Sequence, residues 1–413
     1  MLKGTHQEEL AEITSTLAAA EQLDPVVLRK SVTAGRAVIS GGDGRQPFAV
    51  GENLCAKVNA NVGTSTVECD IDAEVRKAQI AEQLGACMIS DCSVGEDLDR
   101  VRRALLANCN LPVASVPMYQ SAAEAGGASQ VTREIFYDVL GRQLEDGIRL
   151  VVVHLAMDAE CLPVIRARTM GMVSRGGLLT AVWMEAQGWE APLAGDWGPL
   201  FEMLNEWGAT LVVGNAARSG CVHDRLDDAH RREARLGEKV AKMANAAGVQ
   251  VIIEAVGGHV HGPDIAEHVR LYKEQGSRPI FAAGPLPVDV AVGHDHLAAV
   301  VGGTLAVAAG ADLLCYITPA EHICLPNIDD VRDGMNACLV AAYCGDAMRR
   351  GPFERDLEFA RARRKFDWPT QFALALSPER ARERHQPGEE CSMCGSFCPM
   401  RDPRSISGPA PLT

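Results

Sequence analysis

Thr210-Leu-Val-Val-Gly214, then a helical periodicity from Arg232 to Ala247, then Gln250-Val-Ile-Ile-Glu254: residues 210–254 read as strand, helix, strand. Both β-rich runs are continuously apolar rather than alternating, which is how strands covered on both faces are written. A parallel βαβ crossover follows. Working outward, the same rhythm recurs upstream in Lys57-Val-Asn-Ala-Asn-Val62, Ala86-Cys-Met-Ile-Ser90, Pro112-Val-Ala-Ser-Val116, Leu150-Val-Val-Val-His154 and Gly171-Met-Val-Ser174. Downstream it continues in Ile280-Phe-Ala-Ala-Gly284 and Asp312-Leu-Leu-Cys-Tyr-Ile317, and helical patterns such as Ile71 to Leu84 and Val131 to Glu145 lie between. Eight or nine such units over about 260 residues predict a (βα)8 barrel of the TIM type, an α/β fold, in preference to an open sheet.

Polar residues gather where the apolar runs end: Asn59 and Asn61, Ser90 and Asp91, His154, Ser174 and Arg175, Asn215 and Arg218, Glu254 and His259, Thr318 and His322. The C-terminal strand ends of a barrel share one face, so one pocket is expected to collect them. The expected organisation is an N-terminal segment 1–54, a barrel 55–327, a helical segment 328–377, and a Pro-, Arg- and Gly-rich stretch 378–413 with little regular pattern, ending in a loose tail from Pro403.

Composition removes several function classes. A net charge of -14 leaves no basic excess for a nucleic-acid backbone. The one basic run, Arg361-Ala-Arg363-Arg364-Lys365, sits among Glu354, Asp356, Glu358 and Asp367 and reads as a solvated helix face. No apolar run reaches the roughly 18 residues of a membrane span, and the N-terminus lacks a signal-peptide pattern, so a cytoplasmic enzyme without a membrane partner is expected. Fourteen cysteines in such a chain are not a disulfide framework. Most stand alone in apolar stretches, as Cys87, Cys315 and Cys338 do.

One group is spaced for chemistry. Cys391-Ser-Met-Cys394-Gly-Ser-Phe-Cys398 offers three thiols within eight residues. Three thiolates hold three irons of a four-iron four-sulfur cluster and leave the fourth iron open. An open iron can chelate S-adenosylmethionine (SAM), whose reductive cleavage yields methionine and a deoxyadenosyl radical. A closed zinc site competes, because zinc takes four ligands and His385 lies six residues upstream.

Beyond spacing, the chain resembles the phosphomethylpyrimidine synthase family of radical SAM enzymes from about Pro25 to Met400. The resemblance is carried by VNANVGTS (58–65), VPMYQ (116–120), VSRGG (173–177), GPLPVDVAVGHDH (284–296), CYITPAEHICLP (315–326) and CSMCGSFCPM (391–400). It implies a homodimer acting on 5-aminoimidazole ribotide at the top of a barrel, with the cluster supplied by the partner subunit and the electron by a flavodoxin or ferredoxin. It implies a metal ion, zinc by resemblance, on His259 and His322, with His261 as a rival. It implies ribotide contacts from Asn61, Tyr119, His154, Ser174, Arg175, Gly176, Asn215, Arg218 and Glu254. These roles are chemically reasonable: a Ser-Arg-Gly-Gly turn offers backbone N–H groups and a guanidinium to phosphate, and neutral imidazoles ligate divalent metals.

The departures from the family concentrate at the pocket. Its thiamin-forming members carry Gly-Asp-Gly-Leu-Arg-Pro-Gly where this chain has Gly214-Asn-Ala-Ala-Arg-Ser-Gly220; Met-Asp is Ser90-Asp91; and Glu254-Ala-Val-Gly-Gly-His259 is one residue longer. The cysteine motif is one residue shorter. This pattern resembles the paralogue branch that makes 5-hydroxybenzimidazole for the lower ligand of cobamides, with the thiamin pyrimidine as the alternative product. A non-catalytic barrel binding a cluster or zinc is the alternative from another class, and a metal-dependent barrel lyase with a tail zinc is a further one. Cys92, Cys221, Cys324 and Tyr316 are candidates for relaying a radical.

Overall fold

The computed structural model describes residues 4–42, 44–386, 388 and 391–401; the expected tail from Pro403 lies outside them. The chain divides into two units, Met1–Arg349 and Arg350–Thr413.

The first unit is the barrel. After helices Gly4–Ala20 and Pro25–Thr33, strands β1 (Ala37–Gly42) and β2 (Arg45–Gly51) form an antiparallel hairpin. Eight parallel strands then close on themselves in chain order: β3 (Lys57–Val62), β4 (Met88–Asp91), β5 (Val113–Ser115), β6 (Leu150–Val153), β7 (Thr210–Val213), β8 (Val251–Ala255), β9 (Ile280–Ala282) and β10 (Leu313–Cys315). β10 pairs with β3, so no edge is left.

Two-residue alternation sorts these strands into two cores. Val58, Ala60 and Val62 of β3, with Val151 and Val153 of β6, Leu211 and Val213 of β7 and Ile253 of β8, pack outward against the helices. Met88, Ala114, Leu150, Val212, Ile252, Phe281 and Leu313 fill the interior together with Val38, Phe48 and Val50 of the hairpin. The hairpin is therefore the barrel floor. Gln250, just before β8, secures it: its side chain accepts from Ile39 N at 2.9 Å and donates to Ile39 O at 2.8 Å. Further along the strands the inward positions turn polar, at Asn59 and Asn61 of β3, Ser90 of β4 and Glu254 of β8.

The ninth apolar run, Gly171–Ser174, is not a strand. Ser174 is the N-cap of helix Arg175–Gln187, in extended conformation, with its hydroxyl accepting from Gly177 N at 3.2 Å. The hydroxyl ends the extended run by starting a helix. The helical segment appears as Ile328–Arg350, Glu354–Arg364 and Trp368–Leu374. Beyond it the pattern-free stretch also contains a helix, Pro378–Arg384. Its residues are good helix formers behind a proline at the first turn, but they carry no apolar stripe for periodicity to register. Among the described residues, no helix is long and apolar enough to cross a membrane.

Replacing Gln250 with Leu keeps the volume and removes both bonds to Ile39. Chemical denaturation is expected to show a loss of about 1–3 kcal/mol. A variant as stable as the parent would mean that apolar packing alone holds the floor.

Candidate active site at the C-terminal rim of the barrel

The strand ends bring four groups of side chains to one rim. On β3 and β4, Ser90 Oγ donates to Asn59 Oδ1 at 2.9 Å and Asn59 Nδ2 donates to Asn61 Oδ1 at 2.8 Å. Tyr316 OH donates to the Asn61 carbonyl at 2.8 Å. This lining is neutral, and it orients the Asn61 amide from below.

The second group forms after β6. His154 is buried in a slot with glycine on both sides: a Cβ at Gly176 would stand 2.2 Å from its Cε1, and one at Gly214 would stand 2.7 Å from the ring. Its Nε2 is 3.2 Å from Ser174 Oγ, which also accepts from Arg218 Nη2 at 3.2 Å. Burial, then the nearby Arg218 charge, pushes the imidazole down to about 3. It is neutral throughout the physiological range and acts as a hydrogen-bonding group rather than a titrating one. The Ser174-Arg175-Gly176-Gly177 turn opens a 13-residue helix, so its free N–H groups and positive dipole end meet Arg218 at the same point. Arg175 lies over the Tyr119 ring, 5.4 Å from its centroid, and donates to the Cys92 carbonyl at 3.3 Å.

The third group joins β7 to β8. Glu254 accepts from Asn215 N at 3.1 Å. The Asn215 amide is bonded to the scaffold on both sides: Oδ1 accepts from Gly257 N at 3.2 Å, and Nδ2 donates to the carboxylate of Glu233. Ser219 O accepts from His259 N at 3.0 Å, tying the two loops again. Between them Val256 has φ +54°, a conformation that costs a β-branched residue of order 1–3 kcal/mol.

The fourth group is a pair of imidazoles. His259 Nε2 and His322 Nε2 face each other at 3.4 Å. Two nitrogens on one tetrahedral metal, each at about 2.0–2.1 Å, stand roughly 3.3–3.4 Å apart. Asp289 accepts the Nδ1–H of His259 at 2.8 Å, which leaves the Nε2 lone pair directed at His322. Asp289 is itself held by Val222 N at 3.1 Å. The rival His261 stands at the start of helix Gly262–Gly276, 3.6 Å from Asp264; it is His259 whose ring meets His322. Among the described residues no set of three His, Cys, Asp or Glu side chains is grouped to hold a metal.

Electrostatics joins the groups into one site. Burial, then the Asp91 charge, raises the Cys92 thiol to about 12, and both Cys92 and Tyr119 sense Arg175, Arg218 and Glu254. Burial raises Glu321, which senses His322, Arg218 and His259. Arg218 bonds the Ser174 hydroxyl, and its charge is also felt at Glu321. Sequence reading missed Glu233, Asp289 and Glu321. Glu233 lies on an outer helix, inside an ordinary amphipathic pattern, and no strand-end rule points to it. Asp289 was legible only as part of a loop motif.

In the second unit, Cys394 and Cys398 flank the 3-10 turn Gly395–Phe397, a second such turn, Pro399–Arg401, follows, and Cys391 lies just ahead of the first. No disulfide joins any of the fourteen cysteines, and Cys391 and Cys394 are exposed. Gly395 N donates to Cys391 O at 3.2 Å and Cys398 N to Gly395 O at 3.1 Å, coiling the three cysteines into one short loop. His385 is packed against Trp368 and Phe372, at 4.3 and 5.3 Å between centroids.

A parallel barrel with a polar rim and a three-cysteine loop define an enzyme of the radical SAM class. The chain belongs to the Radical SAM ThiC family, whose profile matches residues 1–404. Membership implies a 4Fe–4S cluster and SAM and sets aside the zinc reading of the tail. The chain is 40% identical to the 5-hydroxybenzimidazole synthase of Geobacter metallireducens, over 93% of this chain and 92% of that one. It is 39% identical to the phosphomethylpyrimidine synthase of Carboxydothermus hydrogenoformans, over 93% and 94%, and 38% identical to that of Haloarcula marismortui, over 96% and 85%.

The glycine slot around His154 yields a direct check. Gly176→Ala would drive a methyl into the imidazole, which Gly214 prevents from retreating. Steady-state kinetics are expected to show roughly a 10²-fold loss in kcat/KM. Unchanged kinetics would show that the ring's position does not matter to turnover.

Proposed function

We propose that this enzyme rearranges 5-aminoimidazole ribotide to 5-hydroxybenzimidazole, the anaerobic step toward the lower ligand of cobamides. The observation that carries the choice of product is the neutral Asn215. Its amide is spent on Glu233 and Gly257, so at this depth the rim presents Glu254 as its carboxylate where thiamin-forming relatives would present two. The thiamin pyrimidine is the second reading, supported by the near-equal identity to the Carboxydothermus hydrogenoformans enzyme.

In this reading the ribotide phosphate sits on the Ser174-Arg175-Gly176 turn with Arg218, where N–H donors, a helix dipole and a guanidinium converge. His154 holds Ser174 in place. Asn61, Tyr119 and Glu254 bracket the aminoimidazole, with Asn61 kept in orientation by Asn59 and Ser90. The three free thiols of the coiled loop fit a 4Fe–4S cluster with one open iron, which when bound supplies the electron and the SAM cleavage that starts the reaction. The His259–His322 spacing and the Asp289 contact fit a divalent metal, with zinc as the proposed ion. A cytoplasmic homodimer completes the reading, with a flavodoxin or ferredoxin as electron donor. Met393 and Phe397, 90% and 91% exposed beside the cysteines, are the apolar side chains that a partner subunit would cover.

The test is anaerobic turnover of the reconstituted protein with SAM, a reductant and 5-aminoimidazole ribotide, read by mass spectrometry. Deoxyadenosine and 5-hydroxybenzimidazole are expected, and neither should form with Cys394→Ala. Pyrimidine phosphate as the sole product would overturn the assignment. Separately, Asp289→Ala is expected to weaken Zn2+ binding roughly 10–100-fold in chelator competition, through loss of the imidazole's support. Equal affinity would argue that His259 is not a ligand.

A further inference from the structure

Glu233 is a buried carboxylate with no place in the reaction above. It projects from the helix Asp228–Ala246 and is 2% exposed. Taking a carboxylate out of water is costly unless donors replace the water, and an apolar residue would serve a barrel helix as well. Three donors meet it: Ala217 N at Oε1, 2.9 Å; Tyr272 OH at Oε2, 2.6 Å; and Asn215 Nδ2, also at Oε2. Two of the three belong to the loop that carries Arg218. The third is a tyrosine on the neighbouring helix.

The chain of bonds continues. Asn215 can donate to Glu233 only with its Nδ2 turned down, and this turns Oδ1 toward Gly257 N. Gly257 leads, through Gly258, to His259, and Asn215 Oδ1 stands 2.8 Å from where a Cβ at Gly257 would lie. The strained Val256 precedes it. Burial raises the Glu233 carboxyl to about 7, so it is the acceptor oxygens rather than a fixed charge that set the orientation of one amide, and that amide sets the path of the His259 loop.

We propose that Glu233 is the positioning residue of this rim, holding the Arg218 loop directly and the His259 loop through Asn215. The pair works by polarity: an acceptor at 233 requires an amide donor at 215. A glutamine at this position cannot replace the carboxylate. With its amide toward Asn215, two NH2 groups collide; turned over, it meets Ala217 N; and if Asn215 flips instead, the collision moves to Gly257 N. Every arrangement leaves one donor facing another. Reversing both partners removes the conflict. When Glu233→Gln is combined with Asn215→Asp, the carboxylate introduced at 215 accepts from the new amide at 233 and from Gly257 N, while the Tyr272 hydroxyl turns to accept.

The proposal is tested on Glu233→Gln, on the double variant, and on Tyr272→Phe, which removes a donor to Glu233 without touching either loop. Hydrogen exchange of the 255–260 peptide is the primary readout and needs neither metal nor substrate. Exchange at least tenfold faster is expected in Glu233→Gln, near-parental exchange in the double variant, and near-parental exchange in Tyr272→Phe even if its Tm falls. Co2+ affinity is the second readout and rests on the His259–His322 reading. It should fall roughly tenfold in Glu233→Gln and recover in the double variant. Absence of His259-dependent Co2+ binding in the parent would sink that metal reading and leave the exchange result to decide the role of Glu233. Equal loop exchange in Glu233→Gln and the parent, or equally faster exchange in Tyr272→Phe, would overturn the proposal.

Discussion

Closure of eight parallel strands is the constraint on which the rest of this structure depends. A closed parallel ring leaves no unpaired edge, and all eight strands must end at the same rim. Each strand alternates its side chains between the helices and the interior, so a single polar residue near a strand's end is delivered to that rim by geometry. The interior is apolar below, from Met88, Leu150 and Ile252 to the hairpin residues Phe48 and Val50, and polar above, at Asn59, Ser90 and Glu254. The floor excludes water from one end while the other end stays open to chemistry.

Within that frame the rim is held by hydrogen bonds that look unrelated in sequence. Asn59 orients Asn61, and Gly176 with Gly214 shapes a slot for His154. Asp289 bonds His259 Nδ1, and Glu233 bonds the 215–217 loop after β7. Each of these supporting residues is buried or partly buried and lies behind a side chain that faces the pocket. The arrangement holds the polar groups of the rim in fixed orientations. His154 follows the same logic: burial keeps it neutral, so it can bond Ser174 without adding charge beside Arg218.

What was legible beforehand follows the strength of local signals. The runs Leu150–His154, Thr210–Gly214 and Gln250–Glu254 are long and apolar, and the helices between them are strongly periodic, so the barrel could be read from pattern. Gly171–Ser174 misled because an extended N-cap and a strand have the same local composition; only the Ser174 hydroxyl reaching Gly177 N distinguishes them. Helix Pro378–Arg384 was missed because a helix with no buried face leaves no apolar period. The pairing of His259 with His322 rested on motif resemblance, since nothing in their spacing shows that two loops 63 residues apart will meet at 3.4 Å.

By itself the sequence determined the parallel barrel, the polar rim and the cysteine loop, because each is encoded by neighbours within a few residues: apolar continuity, the residue at a strand's end, three thiols in eight positions. Tertiary structure alone decided which rim residues act together. The floor hairpin, the glycine walls of the His154 slot, the Asp289 support and the Glu233–Asn215–Gly257 chain all join segments far apart in sequence. Their partners are chosen by the curvature of the closed sheet and by the need to satisfy every buried polar group, and neither requirement is local.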